Sequence, residues 1–424
     1  MINVSLPTKN LGWGATASLM GRMSGVGGQL AVTALLSRSL EPSAFGLWAL
    51  LYTIYTLIPN FDLGLGQALR LKLAHLNAEG GQAILERRLF TSAVLILLAI
   101  GLAASAFAIG IIVLLNPNLS SVPTLIGFTL ACGLTLCLNL AAQVFYAYGE
   151  TIQRGLLDIL QSVILLLVIW FFSRFQLSLI VSAYYMAGLA VGAFSLWMFV
   201  KRRNWKIEMP SLQNLLEAFH LLWKSSLWFW LLGMFAIGLY ATSPLFVAHF
   251  MNLEQVGHFV ILQRLFGVLT MFHLAWLNPL QSAYTQVAVL RNWSWVKRTW
   301  EKSLITSVVW IVLAYGVLLY LYEPLIEIWT GKKIVEPQLA FGLAAASCVW
   351  VWINTNSVML NGLGIIKPQV ALLAFGFLIF IILNITLIPA IGSIGAPIST
   401  LFAILPISVM NFIWSNRLIK EKKL

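Results

Sequence analysis

Twelve stretches of about 20 or more largely apolar residues follow one another along the chain, at 12–36, 44–69, 89–115, 122–147, 155–173, 177–200, 225–249, 255–283, 303–322, 337–361, 368–388 and 393–415. A run of that length crosses the roughly 30 Å hydrocarbon layer as an α-helix, and a helix satisfies its own backbone hydrogen bonds where no water can. The chain therefore reads as an all-α polytopic membrane protein with about 12 transmembrane helices. Composition agrees, with 60% hydrophobic and 9% charged residues and a mean hydropathy of +0.89. A net charge of +12 in a soluble protein would suggest nucleic acid. Here the basic residues lie in short stretches between apolar runs, so membrane lipids are the expected partner and nucleic acid is not. Cys132, Cys137 and Cys348 lie within apolar runs, which leaves neither a disulfide framework nor a thiolate metal site. The first apolar run carries Arg22 and lacks a small-residue cleavage site, so the N-terminus is expected to be retained.

Twelve spans put both termini on one side of the membrane. With that side cytoplasmic, 20 of the 26 Lys and Arg fall in inner segments, four (Arg38, Arg174, Lys332 and Lys333) in outer loops, and Arg22 and Arg264 within spans. The positive-inside rule then predicts a multi-pass inner-membrane protein with cytoplasmic termini. The longest stretches between spans, near 201–224 and 284–302, are too short to fold as a soluble catalytic domain. In the first, Leu212, Leu215, Leu216, Phe219 and Leu222 recur at helical spacing, which predicts an interfacial helix. The expected organisation is a six-helix lobe at 1–200, a cytoplasmic linker at 201–224 and a second six-helix lobe at 225–424. In the second stretch, Trp293, Trp295 and Trp300 among Arg291, Lys297 and Arg298 predict interface anchoring.

An offset of 211 sets Phe45-Gly46-Leu47-Trp48 on Val256-Gly257-His258-Phe259, and an offset of 215 sets Cys132, Asn139 and Tyr146 on Ser347, Asn354 and Asn361. Both offsets are close to half the chain, as a six-plus-six duplication requires. An even number of spans per repeat gives parallel repeats, with a cleft near the midplane between them.

An ionisable side chain within a span costs several kcal/mol unless it faces water or a partner. Arg22 shares a helix face with Ser18, Gly25, Gln29 and Thr33, a polar stripe suited to lining a cavity; the alternative is close packing through Gly21 and Gly25. Arg264 has Asn278 and Ser282 on its face, whereas His273 points the opposite way and reads as a packing histidine. Cys132, Thr135, Asn139, Gln143 and Tyr146 form one stripe, and Ser347, Asn354 and Asn361 another; both suit either a hydroxyl-rich substrate or neighbouring helices. Asp62, followed by Gly64 and Gly66, predicts a broken helix end, and Arg154 with Asp158 an i, i+4 ion pair. Candidate substrate-binding residues are therefore Arg22, Gln29, Asp62, Asn139, Arg264, Asn278 and Asn354. No Gly-rich loop ending in Gly-Lys-Ser/Thr, no His-Glu-x-x-His and no acidic pair on an outer loop is present, so neither an enzyme nor a cofactor-dependent protein is expected. A transporter without nucleotide motifs draws on a gradient or on its substrate's own imbalance.

Four further segments carry a resemblance: Leu40-Glu41-Pro42 leading to Phe45-Gly46-Leu47-Trp48; Asp62-Leu63-Gly64-Leu65-Gly66; Asn361-Gly362-Leu363-Gly364 with Lys367-Pro368-Gln369; and Gly392-Ser393-Ile394-Gly395-Ala396-Pro397. In this order they resemble a polysaccharide flippase of the multidrug, oligosaccharidyl-lipid and polysaccharide exporter superfamily. The resemblance implies two six-helix lobes around a cationic cavity, alternating access, and a lipid-linked oligosaccharide substrate of the O-antigen kind joined to undecaprenyl pyrophosphate. It also implies a bacterial inner-membrane location and glycan-assembly membrane proteins as partners. Arg22 and Arg264 match basic cavity residues of the related lipid II flippases, and the two extra helices of those relatives are missing here. Two alternatives stand beside it: a cation-coupled multidrug or small-lipid exporter of the same superfamily, and a membrane glycan polymerase. The exporter typically carries an acid in its first helix, and 12–36 has none; the polymerase needs a long outer loop.

Overall fold

The computed structural model describes residues 11–78, 83–115, 122–205, 209–289 and 292–421. In chain order its helices are α1 (Leu11–Ser39), α2 (Pro42–Leu57), α3 (Leu65–Ala78), α4 (Ala83–Leu115), α5 (Val122–Leu138), α6 (Leu140–Ala147), α7 (Thr151–Phe172), α8 (Leu177–Arg202), α9 (Leu212–Ala241), α10 (Ser243–Phe250), α11 (Leu253–Val289), α12 (Trp293–Trp310), α13 (Gly316–Thr330), α14 (Pro337–Gly362), α15 (Lys367–Ile391) and α16 (Gly395–Glu421). Among the described residues nine helical stretches are long and apolar enough to cross a membrane, and the pair α9–α10, bent by 45°, makes a tenth. One of the nine, Lys367–Glu421, runs through both α15 and α16.

Every expected apolar run lies under helix, but four are interrupted. The run at 44–69 breaks where Leu63 and Gly64 take positive φ of 54° and 73°. The Asp62 carboxylate holds that break by accepting hydrogen bonds from the Gly64 and Gly66 N–H groups at 2.8 and 3.0 Å, which caps the orphan donors at the start of α3. The run at 122–147 breaks at Asn139, and that at 225–249 at Thr242, just before Pro244. The run at 303–322 continues through one π turn, Ile311–Tyr315, between α12 and α13.

The chain forms two compact units. One holds the chain up to Ser39 with Ile54–Trp230; the other holds Leu40–Thr53 with Leu231–Leu424, so α2 is divided between them. In the first unit, helices approach closely where both carry glycine. A Cβ at Gly21 would lie 2.8 Å from the Gly155 Cα, and one at Gly101 would lie 2.1 Å from the Gly133 carbonyl oxygen. Of the expected α1 packing pair, Gly21 meets α7 and Gly25 has open space around it. The core of this unit gathers Leu65, Leu69, Leu73, Phe145 and Phe199, and it includes Ala218 and Leu222 of α9.

The stretch expected as an interfacial helix does not end with the linker. Leu212–Trp223 is the first part of the unbroken 30-residue α9, one side of it buried in the first unit while Leu212 and Leu216 stay exposed. A second correction concerns Trp300, expected as an interface anchor. It is only 4% exposed, in a core of the second unit with Tyr284, Val296 and Met359, and its indole N–H donates to Asn356 Oδ1 at 3.1 Å.

Candidate functional site

In the second unit the first half of α2 lies along the first half of α11. Phe45, Trp48, Ala49 and Tyr52 recur every three or four residues, which places them on one helix face, and all four are buried. Gly46 lets the backbones touch: a Cβ there would lie 1.6 Å from the Leu253 carbonyl oxygen. Gly257 answers it from α11, with room for a Cβ only 3.0 Å from a Phe45 ring carbon and 3.7 Å from the Gly46 Cα. The two glycines that the 211-residue offset equates are therefore packed on each other.

Arg264 lies two turns beyond Gly257 on the same face of α11. Its guanidinium carbon is 5.2 Å from the Trp48 ring centroid and 4.5 Å from that of Tyr52, cation–π distances in both cases. At the other end of the seam Lys332 Nζ lies 5.8 Å from the Phe45 ring centroid. Burial holds the Lys332 ammonium below the ordinary lysine range, and the Glu254 charge works against that shift. Beside it His258 Nδ1 pairs with Glu336 Oε1 at 2.8 Å.

A different face of α11 carries a polar seam. Thr270 shares hydrogen bonds with Tyr240 and, at 2.7 Å, with Tyr315, the last residue of the π turn. Tyr240, Ser243, Gln263 and Ser347 border a cavity of about 20 Å³, enough for one water. His273 bonds Ser307 at 2.9 Å, and Ser307 in turn bonds Thr355 at 2.7 Å. The histidine is thus held in helix packing, on the opposite side of α11 from Arg264, as its spacing predicts. Asn354 is half-buried in α14 between Ile353 and Thr355, which are buried.

In the first unit, Tyr55, Thr135, Asn139, Arg154, Gln161 and Ser195 border a cavity of about 40 Å³, room for two or three waters. The Arg154–Asp158 ion pair forms as the i, i+4 spacing predicts. Asn139 borders this cavity and is itself exposed. Asp62 is taken up as a helix cap with Gln143 nearby, since a Cβ on Gly66 would touch both. Gln29 is exposed. Arg22 lies on α1 and Asn278 on α11, and their side chains fall outside the described residues. Of the predicted site residues, Arg22, Gln29, Asp62 and Asn139 belong to the first unit and Arg264, Asn278 and Asn354 to the second. The partners that sequence reasoning missed are Trp48 and Tyr52, although their i, i+4 aromatic spacing was a usable signal.

No family model matches the chain, and no curated protein matches it. Solved structures do. An inward-facing multidrug resistance MATE family transporter of the MOP superfamily is 14% identical with a TM-score of 0.73, over 96% of this chain and 99% of that one. A MOP superfamily transporter from Pyrococcus furiosus Vc1 (DSM3638), described by the reverse polarity of its binding pocket, is 13% identical with a TM-score of 0.64, over 97% and 95% of the two chains. An outward-facing multidrug resistance MATE family transporter is 16% identical with a TM-score of 0.60, over the same shares. The chain thus has, from end to end, the all-α fold of two six-helix lobes found in these transporters.

Proposed function

We propose that the protein is a secondary transporter that exports drug-like or small lipid amphipaths across the membrane by alternating access, as the exporter alternative predicted. The observation that carries this reading is the end-to-end likeness to an inward-facing multidrug transporter. It supports transport over catalysis, and it favours the exporter over the lipid-linked oligosaccharide flippase. The charge in the spans sets the substrate's character. Residues 12–36 carry no acid, while Arg264 is half-buried in a span, so a substrate with a negative group is accommodated better than a bare cation. A structural neighbour described as having a pocket of reversed polarity, taken there to suggest a different function, is a precedent within this fold.

That same arginine favours a second reading, in which the anionic group is the pyrophosphate of a lipid-linked oligosaccharide, because a planar guanidinium fork matches phosphate oxygens. Proteoliposomes separate the two. Under an imposed proton or sodium gradient, a fluorescent anionic amphipath is expected to cross, and a cationic dye such as ethidium to cross more slowly. Movement only of an undecaprenyl-pyrophosphate oligosaccharide would replace the first reading with the second. Movement of none of the three by folded protein, under either gradient, would remove transport altogether.

A further inference from the structure

Three basic residues stand in a row where α8 ends, and each has different surroundings. Arg203 turns inward: its guanidinium donates to Glu150 Oε1 at 2.8 Å and lies 3.7 Å from the centroid of the Tyr148 ring. Arg202 reaches the same carboxylate only at 3.8 Å, and its side chain is 49% exposed. Lys201 is exposed, and its Nζ rests 4.7 Å from the centroid of the Trp197 ring, one turn back on the helix. The two carboxylates near this end are both engaged inward. Glu150 is held by Arg203, and Glu86 is buried and accepts from the Tyr148 hydroxyl at 2.7 Å. Among the described residues Lys201 therefore has no ion-pair partner, and Arg202 has one long contact.

Met186, Ala190, Phe194, Trp197 and Lys201 follow one another at spacings of four, four, three and four, which puts them on one face of α8, and all five are exposed. Phe194 and Trp197 are 44% and 55% exposed, with ring centroids 5.7 Å apart. The 26 residues of α8 rise about 39 Å, more than the roughly 30 Å hydrocarbon layer, so its last turn reaches the headgroups. We propose that this stripe binds one anionic phospholipid, its phosphate held by Lys201 and Arg202 and an acyl chain lying along Trp197, Phe194 and Met186. Charge and depth select that occupant. A free phosphate has no use for the apolar part of the stripe, and a zwitterionic lipid brings no net charge to the two cations. A peptide at that depth would carry backbone polar groups into hydrocarbon, where nothing on the stripe meets them. The Trp197 ring positions the ammonium at the rim, above the chain. The site stands apart from what the protein carries, and the expected orientation puts it at the cytoplasmic leaflet.

The test counts and locates the lipid. Full-length protein stripped of lipid in a mild detergent is titrated with phosphatidylglycerol or with phosphatidylcholine of the same chains, and bound lipid is counted by native mass spectrometry. The first phosphatidylglycerol is expected to bind about tenfold more tightly than the first phosphatidylcholine. Lys201→Gln should weaken it about fivefold, and Lys201→Gln with Arg202→Gln about 25-fold, as the loss of two interfacial charges implies. Lys201→Arg should keep most of the affinity. Lys297→Gln with Arg298→Gln, a basic pair near the start of α12, should leave it within about twofold of the parent. A phosphatidylglycerol with a photoreactive diazirine in one acyl chain should label the stretch from Met186 to Lys201 in the parent, and much less in the doubly substituted Lys201 and Arg202 variant. The proposal is overturned if that variant, folded by circular dichroism, binds the first phosphatidylglycerol as tightly as the parent, or if the label falls only on other helices. Displacement of the lipid by inorganic phosphate at equal concentration would overturn it in favour of a free-phosphate site. Equal affinity for phosphatidylcholine would reduce the stripe to ordinary lipid-facing surface.

Discussion

Gly46 occupies a position where no side chain fits, and that makes it a sensitive probe of the seam. A methyl group there would lie 1.6 Å from the Leu253 carbonyl oxygen, so Gly46→Ala must push α2 off α11, whereas Gly25→Ala meets open space. Overpacking of this kind costs about 1–3 kcal/mol. Gly46→Ala is therefore expected to lower the Tm in detergent clearly, while Gly25→Ala leaves it unchanged or raises it slightly through helix propensity. Equal melting of the two variants would mean that the seam contributes nothing to stability. Trp300 shows what a single sequence hides at this scale. A tryptophan flanked by arginines and lysines has the signature of a membrane-interface anchor, yet this one turns inward and donates to Asn356, itself buried. Nothing in its neighbours distinguishes the two fates, because the partner lies 56 residues away. Trp300→Phe keeps most of the volume but leaves the Asn356 oxygen without that donor, a loss of about 1–3 kcal/mol, and should lower the Tm more than Trp293→Phe does.

At the scale of the element, hydropathy located the helices and missed most of their interruptions. A window of 20 residues averages over a break, and the residues that make one are local: Leu63 and Gly64 in left-handed conformation, or Pro244 without an N–H. Asp62 was legible because Gly64 and Gly66 follow it; Asn139 was not, since no such punctuation marks it, and the Pro244 that follows Thr242 was passed over inside an apolar run. The continuity of α9 was also hidden. Its first half is amphipathic like a surface helix, and only the burial of Ala218 and Leu222 in the core that also holds Leu65 and Leu69 reveals what that face covers. The capping role of Asp62 has a measurable size. Asp62→Ala frees two backbone donors at the start of α3 and should cost about 0.5–2 kcal/mol, read as a lower Tm, while Asp62→Asn retains an acceptor and should recover part of it. Equal loss in both would show that the charge of Asp62, rather than its cap, is what α3 needs.

At the scale of the whole molecule, the two offsets near half the chain led to an expected six-plus-six duplication, and Gly46 and Gly257, which one of them equates, pack on each other within the second unit. The seam was not legible, because the sequence places Trp48 and Arg264 more than two hundred residues apart. The expected orientation rests on the basic residues, 20 to 4 in favour of one side. A cysteine at Glu41 is expected to react with a membrane-impermeant maleimide in intact cells, and one at Asn204 to react only after the membrane is opened. In that expected orientation the turn before α2 faces outward, and alternating access on that side would require α2 to part from α11. A disulfide between Ser43→Cys and Glu254→Cys, both exposed near the start of their helices, should therefore stop export, and reduction should restore it. Two states of a transporter differ by a few kcal/mol, far less than a covalent bond resists, so no substrate concentration would overcome the clamp. Export at the uncrosslinked rate by protein verified as fully crosslinked would mean that α2 stays docked throughout, and that the substrate leaves by a path that never parts this seam.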